Sequence, residues 1–161
     1  MKNLVPLLII ISFVVSCTKE VPESEKKIAR STSENEIKSL IDSFVVSFNS
    51  GEFDKMHLYF AADYSGYIPD SDTAISLTEY KNELQKLHDR YPDGKLQVNV
   101  EDINVSEELA AVQTFSSFMT YDPIEGKSSP LSSERSIKLL RKAKNDGWKI
   151  IKSLSIPAFS Y

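Results

Sequence analysis

The chain contains very little cysteine and histidine, and this scarcity limits the chemistry that it can perform. Among 161 residues there is one cysteine, Cys17, and there are two histidines, His57 and His88. A disulfide within the chain and a cysteine-based zinc site are therefore excluded. The formal net charge of −4 argues against a nucleic-acid partner, because such proteins carry a basic surplus that neutralises phosphates. We expect no metal and no cofactor.

The hydrophobic run at the amino terminus is too short to cross a membrane. It extends from Leu4 to Val15 behind the charge of Lys2, whereas a spanning helix needs about 20 apolar residues. This arrangement is typical of a signal peptide. The run ends in Val14-Val15-Ser16-Cys17, which resembles the bacterial lipobox, in which the thiol is acylated and the chain is cut before the cysteine. The resemblance implies a signal peptide over residues 1–16 and lipidation of Cys17. An ordinary signal peptide with an incidental cysteine is the alternative.

The residues after the cysteine bear on the location of an anchored protein. Two or three acyl chains such as palmitate, at about 0.8 kcal/mol per buried CH₂, hold a protein stably at a membrane of the cell envelope. By analogy with lipoprotein sorting signals, Thr18 in place of aspartate favours the outer membrane over the inner one, and Lys19-Glu20 is compatible with export to the cell surface. Residues 17–33 are highly charged with few apolar side chains, so we expect a flexible tether before a domain over 34–161.

Helical signals lie in the first half of this domain. Ser33 and Glu36 form a capping box that predicts a helix start, and a stripe of apolar residues at helical spacing continues to Phe48 before Gly51. Residues 52–60 predict a short second helix. A second capping box, Ser76 with Glu79, predicts the start of a third helix.

The remainder of the domain shows strand patterns. A short strand is predicted over 64–68, and four further strands are predicted over 95–105, 109–121, 132–142 and 148–156. A change in alternation around Glu101-Asp102 predicts a bulge. The order ααβαββββ is that of an α+β protein with early helices and late antiparallel strands.

The order of several short motifs resembles the nuclear transport factor 2-like, or SnoaL-like, domains over about 34–156. These motifs are Asn49-Ser50-Gly51-Glu52-Phe53-Asp54, Leu139-Leu140-Arg141-Lys142 and Asp146-Gly147-Trp148-Lys149-Ile150. The resemblance implies a cone-shaped, curved antiparallel sheet packed on three N-terminal helices around an apolar pocket, and a homodimer formed through the sheet. Relatives include ketosteroid isomerase, dehydratases, epoxide hydrolases and non-catalytic modules, so the fold does not fix the function.

The isomerase branch of this family can be compared position by position. Its chemistry needs a carboxylate base and two acidic hydrogen-bond donors in a dry pocket. The corresponding positions fall at Phe44, Ile68 and near Arg135, and none of these side chains can take its role. We therefore expect a membrane-anchored domain that binds a small apolar ligand or a protein partner without catalysis. The alternative is a SnoaL-like isomerase, dehydratase or hydrolase that acts on a small hydrophobic compound, with Arg135, Tyr67 or His88 involved.

Arg135 shares a strand face with Ile137 and Leu139, so an inward-facing Ile137 would bring the guanidinium into the cone to hold a carboxylate or phosphate. The alternative is an Arg135 that reaches water or an acidic neighbour. Aromatic residues that line a pocket can equally be plain core, and His88 is a general base only if it has a partner. The candidate pocket residues are Phe44, Tyr59, Tyr67, Ile68, Tyr80, His88, Phe115, Met119, Arg135 and Ile137.

Overall fold

The first helix is longer than the sequence predicts. A computed structural model describes residues 22–69, 71–124 and 126–158, and the predicted signal peptide and Cys17 lie outside these ranges. Helix α1 spans Glu23–Asn49, so residues 23–33 are helical and are not the predicted flexible tether. The segment is rich in helix-forming residues, and an Arg30–Glu34 ion pair with a 2.9 Å contact links successive turns. The helix therefore does not begin at the Ser33 capping box, and Ser33 is buried within the helix.

Two further helical elements follow α1. The predicted second helix is a 3₁₀ helix, Phe53–Leu58. Helix α2 spans Leu77–Arg90 and begins at the predicted capping box, in which the Ser76 side chain accepts from the Glu79 amide and the Glu79 carboxylate accepts from the Ser76 amide. No helix within the described parts of the chain is long and apolar enough to cross a membrane.

Six strands form one mixed sheet. They are β1 (Phe60–Tyr67), β2 (Ile75–Ser76), β3 (Lys95–Ser106), β4 (Leu109–Asp122), β5 (Lys127–Ala143) and β6 (Gly147–Pro157). Their order across the sheet is β2-β1-β6-β5-β4-β3. The prediction of a purely antiparallel sheet is wrong at one pair, because β1 runs parallel to β6. The predicted bulge in β3 is confirmed between Val100 and Asp102.

The two helices cover one face of this sheet, which we call the inner face. The largest core cluster joins Ile37, Ile41 and Phe44 of α1 to Val112, Leu140 and Ile150 of the sheet, all at most 4% exposed. Trp148 is also buried, and its indole Nε1 donates to the Glu36 carboxylate on α1 at 3.1 Å. These contacts form one hydrophobic core between α1 and the sheet, whose buried members lie between Ile37 and Ile150. A single core of this kind is the property of one domain.

The Asn49 side chain holds the end of α1 against the edge strand β3. The Asn49 amide donates to the Leu96 carbonyl at 3.0 Å, and its oxygen accepts from the Leu96 amide at 2.8 Å. Gly51 then turns the chain with a φ of +71°, in the left-handed region that glycine adopts most readily. A Cβ atom at Gly51 would lie 3.3 Å from the His88 ring. The turn therefore brings the chain close to α2 and places α1 over one end of the sheet.

Candidate functional site

A cavity of about 380 Å³ lies between the inner face of the sheet and the two helices. Its helical wall is largely apolar, with Ile41, Phe44 and Phe48 from α1 and Leu84 and Leu87 from α2. Exposed residues such as Glu83 and Pro157 also contribute to the lining, so the cavity reaches the protein surface.

The sheet side of the cavity contains a buried lysine. Lys138 on β5 is 8% exposed, and its Nζ donates to Thr114 Oγ1 at 3.1 Å and to the Ser136 hydroxyl. Thr114 and Ser136 also hydrogen-bond to each other at 2.9 Å. No carboxylate of the described residues lies within ion-pair distance of this ammonium group. Burial lowers the pKa of Lys138 to about 8, and the negative charge of Glu134 offsets only part of that effect.

A carboxylic acid lies on the same strand and the same face as Lys138. Glu134 of β5 is half-buried in the cavity lining. Burial raises the pKa of this carboxyl group, against the opposing effects of the Lys138 charge and of a hydrogen bond from Ser155. Four residues of extended strand separate the two groups, which is about 13 Å between their Cα atoms.

Tyr80 of α2 is a further polar residue of the cavity lining, and the Tyr64 ring lies beside it with the centroids 5.6 Å apart. Burial raises the pKa of the Tyr80 phenol well above its ordinary value and also raises that of Tyr64. The Tyr64 hydroxyl bonds to Ser153 Oγ at 2.6 Å, whereas the Tyr80 hydroxyl has no hydrogen-bond partner in the described chain. Tyr80 lines the cavity, so its phenol remains a neutral group that a ligand can reach.

Comparison with protein families now places this architecture. The family model for the SnoaL-like domain matches residues 37–158. The chain belongs to the SnoaL-like domain family. Helix α2, the sheet and the part of α1 from residue 37 onward lie within the matched region. The α+β fold expected from the sequence is confirmed as that of the nuclear transport factor 2-like proteins.

Solved structures show the same fold at low sequence identity. A nuclear transport factor 2-like protein with a cystatin-like fold from Novosphingobium aromaticivorans is similar with a TM-score of 0.73 and 11% identity, over 89% of this chain and 94% of that one. A protein of unknown function from Mycobacterium tuberculosis is similar with a TM-score of 0.68 and 15% identity, over 87% of this chain and 78% of that one. A nuclear transport factor 2-like superfamily protein from Salmonella enterica is similar with a TM-score of 0.64 and 16% identity, over 81% of this chain and 94% of that one. Comparison with curated proteins gives no match.

Three of the residues predicted to form a pocket line the cavity of this SnoaL-like domain, namely Phe44, Ile68 and Tyr80. Tyr59 is buried in the core, where its hydroxyl bonds to Ser47 Oγ at 2.6 Å. The His88 ring packs edge-on against Phe53, with centroids 5.5 Å apart. Tyr59 and His88 are absent from the cavity lining.

The other five predicted residues lie on the opposite, outer face of the sheet, which corrects the expectation that they face the pocket. They are Tyr67, Phe115, Met119, Arg135 and Ile137. Arg135 stacks over the Phe115 ring at 5.4 Å and pairs with Glu101 at 3.3 Å. The prediction placed the apolar residues of β5 inside, but Ile137 and Leu139 are 52% and 41% exposed, whereas Lys138 and Leu140 are buried.

Sequence reasoning missed Lys138 and Glu134. Both alternating faces of β5 mix polar and apolar residues, so the strand alone gives no clear signal. The pairing with β4 decides the matter, because Val112 and Ala110, which are both buried, lie opposite Lys138 and Leu140. Within the described ranges, no group of three histidine, cysteine, aspartate or glutamate residues is arranged to hold a metal ion.

The buried charge of Lys138 predicts a pH-dependent cost in stability. Because its folded pKa of about 8 lies below the ordinary 10.5, the folded protein binds fewer protons than the unfolded chain between these values, and stability rises with pH across that window. We expect Lys138→Met to raise the free energy of unfolding by about 1–3 kcal/mol near pH 7. Near pH 9.5 the parent should regain about 2 kcal/mol relative to the variant, because Lys138 is then mostly neutral in the folded protein. Urea unfolding of both proteins at pH 7 and pH 9.5 measures the difference in their free energies of unfolding.

Lys144→Met is the matched control for this measurement, because Lys144 is exposed in the turn between β5 and β6. It should change the free energy of unfolding little at either pH. A Lys138→Met advantage that is the same at both pH values would contradict the assignment of the cost to the buried ammonium group.

Proposed function

We propose that this SnoaL-like domain binds a small, largely apolar molecule in its inner cavity and does not transform it. The observation that carries the proposal is the cavity of about 380 Å³ with its apolar helical wall and few polar groups. Its volume lies in the range of small-molecule sites, which are concave and mostly apolar. Phe44, Phe48 and Leu84 supply the contact surface for the ligand.

The arrangement of titratable groups favours binding over catalysis. Phe44 and Ile68 line the cavity, at the positions where the isomerase branch requires a donor and a base, and neither side chain can exchange a proton. The Lys138 ammonium group donates to Thr114 and Ser136 and forms no ion pair with Glu134, so the two groups are not a hydrogen-bonded acid and base. Their shifted pKa values are the observation that favours the second candidate, an isomerase, dehydratase or hydrolase that acts on a small hydrophobic compound.

A cavity-filling variant tests the proposed binding. Val98 lines the cavity from β3, whereas its neighbour Asn99 is exposed on the outer face. We expect Val98→Trp to weaken binding of a neutral probe, octan-1-ol, about tenfold or more, because the indole occupies the ligand volume. Asn99→Trp should leave binding unchanged. Chemical-shift titration of residues 18–161 measures the affinity.

Mass spectrometry of molecules that co-purify with residues 18–161 identifies the natural ligand. Recovery of the ligand unchanged after long incubation supports a binding protein, whereas its conversion supports the enzyme. Equal octan-1-ol affinity in Val98→Trp and the parent would refute the cavity as the site.

We further propose that the outer face of the sheet is a protein contact surface that joins two copies of the chain. The outer patch consists of Tyr67, Phe115, Ile137, Leu139, Leu154 and Ile156. The last four of these are each between 41% and 57% exposed on neighbouring strands β5 and β6. Contiguous apolar surface of this kind marks interaction sites.

Substitution within the outer patch tests the homodimer. We expect residues 18–161 to sediment as a dimer, and Leu154→Lys to shift them to the monomer mass, because a charge buried between two copies is unpaired. Val46→Lys is the control, since Val46 is 63% exposed on α1 and away from the sheet face. A monomer mass for the parent chain would contradict the proposal.

We also propose that Cys17 is acylated and anchors the domain in the cell envelope, at the outer membrane or on the cell surface. The lipobox-like Val14-Val15-Ser16-Cys17 and the preceding apolar run support this assignment. With radiolabelled palmitate in a bacterial host, the parent chain should incorporate label and partition with membranes. Cys17→Ser should incorporate none, and Ser16→Ala should retain the label because a small residue is kept before the cysteine. Equal labelling of Cys17→Ser would contradict the proposal.

A further inference from the structure

The polar groups of the inner cavity indicate the chemical class of its ligand. We propose that the cavity takes a small amphipathic monoanion, with its carboxylate held by Lys138 and its apolar body against the helical wall. This inference rests on the proposed binding function and adds the charge and the orientation of the ligand.

Lys138 has one hydrogen-bond donor to spare. An ammonium group carries three N–H donors, and two of them are used by the hydroxyls of Thr114 and Ser136. No acceptor among the described residues takes the third, and Lys138 contributes to the cavity lining. A buried charge without a counter-ion is costly. An anionic oxygen in the cavity would supply the counter-ion and the third hydrogen-bond acceptor that Lys138 lacks.

The charges around the cavity favour a single negative charge on the ligand. Lys138 is the one cationic side chain in the described lining, and the carboxylates there are Glu134 from β5 and Glu83 from α2. The Tyr80 phenol from α2 also lines the cavity, and the phenol of Tyr64 from β1 lies beside that of Tyr80. From α1 and β4 the lining receives only apolar side chains and the hydroxyl of Ser116. One ammonium matches a carboxylate, whereas a dianionic phosphate normally recruits several donors.

The distribution of polar groups also orients the ligand. Lys138 and Ser116 lie on the sheet side, while α1 contributes only the apolar side chains of Ile41, Phe44 and Phe48 to the lining. Glu134 is not within ion-pair distance of the Lys138 ammonium group, whose hydrogen-bond partners are Thr114 and Ser136. A carboxylate at Lys138 would therefore leave its apolar chain against the helical wall.

A matched series of eight-carbon probes tests the charge preference. Octanoate, octan-1-ol and octylammonium share one tail and differ in the head group. Chemical-shift titration of residues 18–161 near pH 7 should show octanoate binding about tenfold more tightly than octan-1-ol, because a charge-assisted hydrogen bond is stronger than a neutral one. Octylammonium should bind most weakly. Equal affinities for octanoate and octan-1-ol would overturn the inference and leave the proposed function intact, whereas no binding of any probe would overturn both.

Lys138→Met separates the ammonium group from the packing of its side chain. The variant should weaken octanoate binding about tenfold and leave octan-1-ol affinity within about twofold. It should remain folded, since Thr114 and Ser136 still satisfy each other at 2.9 Å. Lys144→Met, which removes one exposed positive charge in the distant turn, should bind octanoate like the parent. Undiminished octanoate affinity in a folded Lys138→Met would overturn the inference.

The pH dependence of affinity gives an independent measurement on the unaltered protein. Because the free Lys138 ammonium loses its proton around pH 8, octanoate affinity should fall about tenfold between roughly pH 7 and pH 9.5. The titratable side chains that share the cavity lining with Lys138 are Glu134 from β5 and Glu83 and Tyr80 from α2. Burial raises the pKa of the Tyr80 phenol well above its ordinary value, so this group does not titrate in the range measured. Octan-1-ol affinity should not change. Octanoate affinity that stays constant over this range would also overturn the inference.

Discussion

The register of β4 against β5 is the constraint on which both faces of this sheet depend. Thr114 lies opposite Ser136 and Val112 opposite Lys138, so these four side chains lie under the helices. A slip of one residue would exchange the two faces of β5. It would bring Ile137 and Leu139 into the core and place the lysine in water. The polar side of the cavity and the outer apolar patch are therefore two results of one pairing.

The polar stretch of the inner face also explains why a cavity remains there. Near the end of α1, apolar side chains from helix and sheet interlock, as Phe48, Phe53 and Phe118 do. Around Lys138 the sheet offers hydroxyls and an ammonium group that satisfy one another. Helical leucine and phenylalanine side chains gain little by packing on such groups. The helices therefore cover this part of the sheet without filling the space above it.

The sequence predicts those parts of the fold that depend on local chemistry. The Ser76 capping box starts α2, and the bulge in β3 lies where the alternation changes. The predicted start of the first helix is wrong, because a capping box at Ser33 offers a terminus without preventing good helix-forming residues from extending the helix back to Glu23. The predicted inner face of β5 is wrong because the outer Ile137 and Leu139 are as apolar as a core face. The start of such a helix and the buried face of such a strand depend on contacts between residues far apart in the sequence. The alternation within one strand carries no information about these contacts. For that reason the sequence identifies Phe44, Ile68 and Tyr80 as pocket residues but does not identify Lys138 and Glu134.

The length of α1 has a mechanical consequence. Residues 23–32 are helical and exposed, and at 1.5 Å per residue they extend about 15 Å beyond the first buried position of the helix. A coil of the same length would let the domain adopt any orientation, whereas a helix continuous with the core behaves as a rigid strut. The lipid that we propose on Cys17 would lie six residues before the start of this helix at Glu23. The strut would then set the spacing between the membrane and the domain.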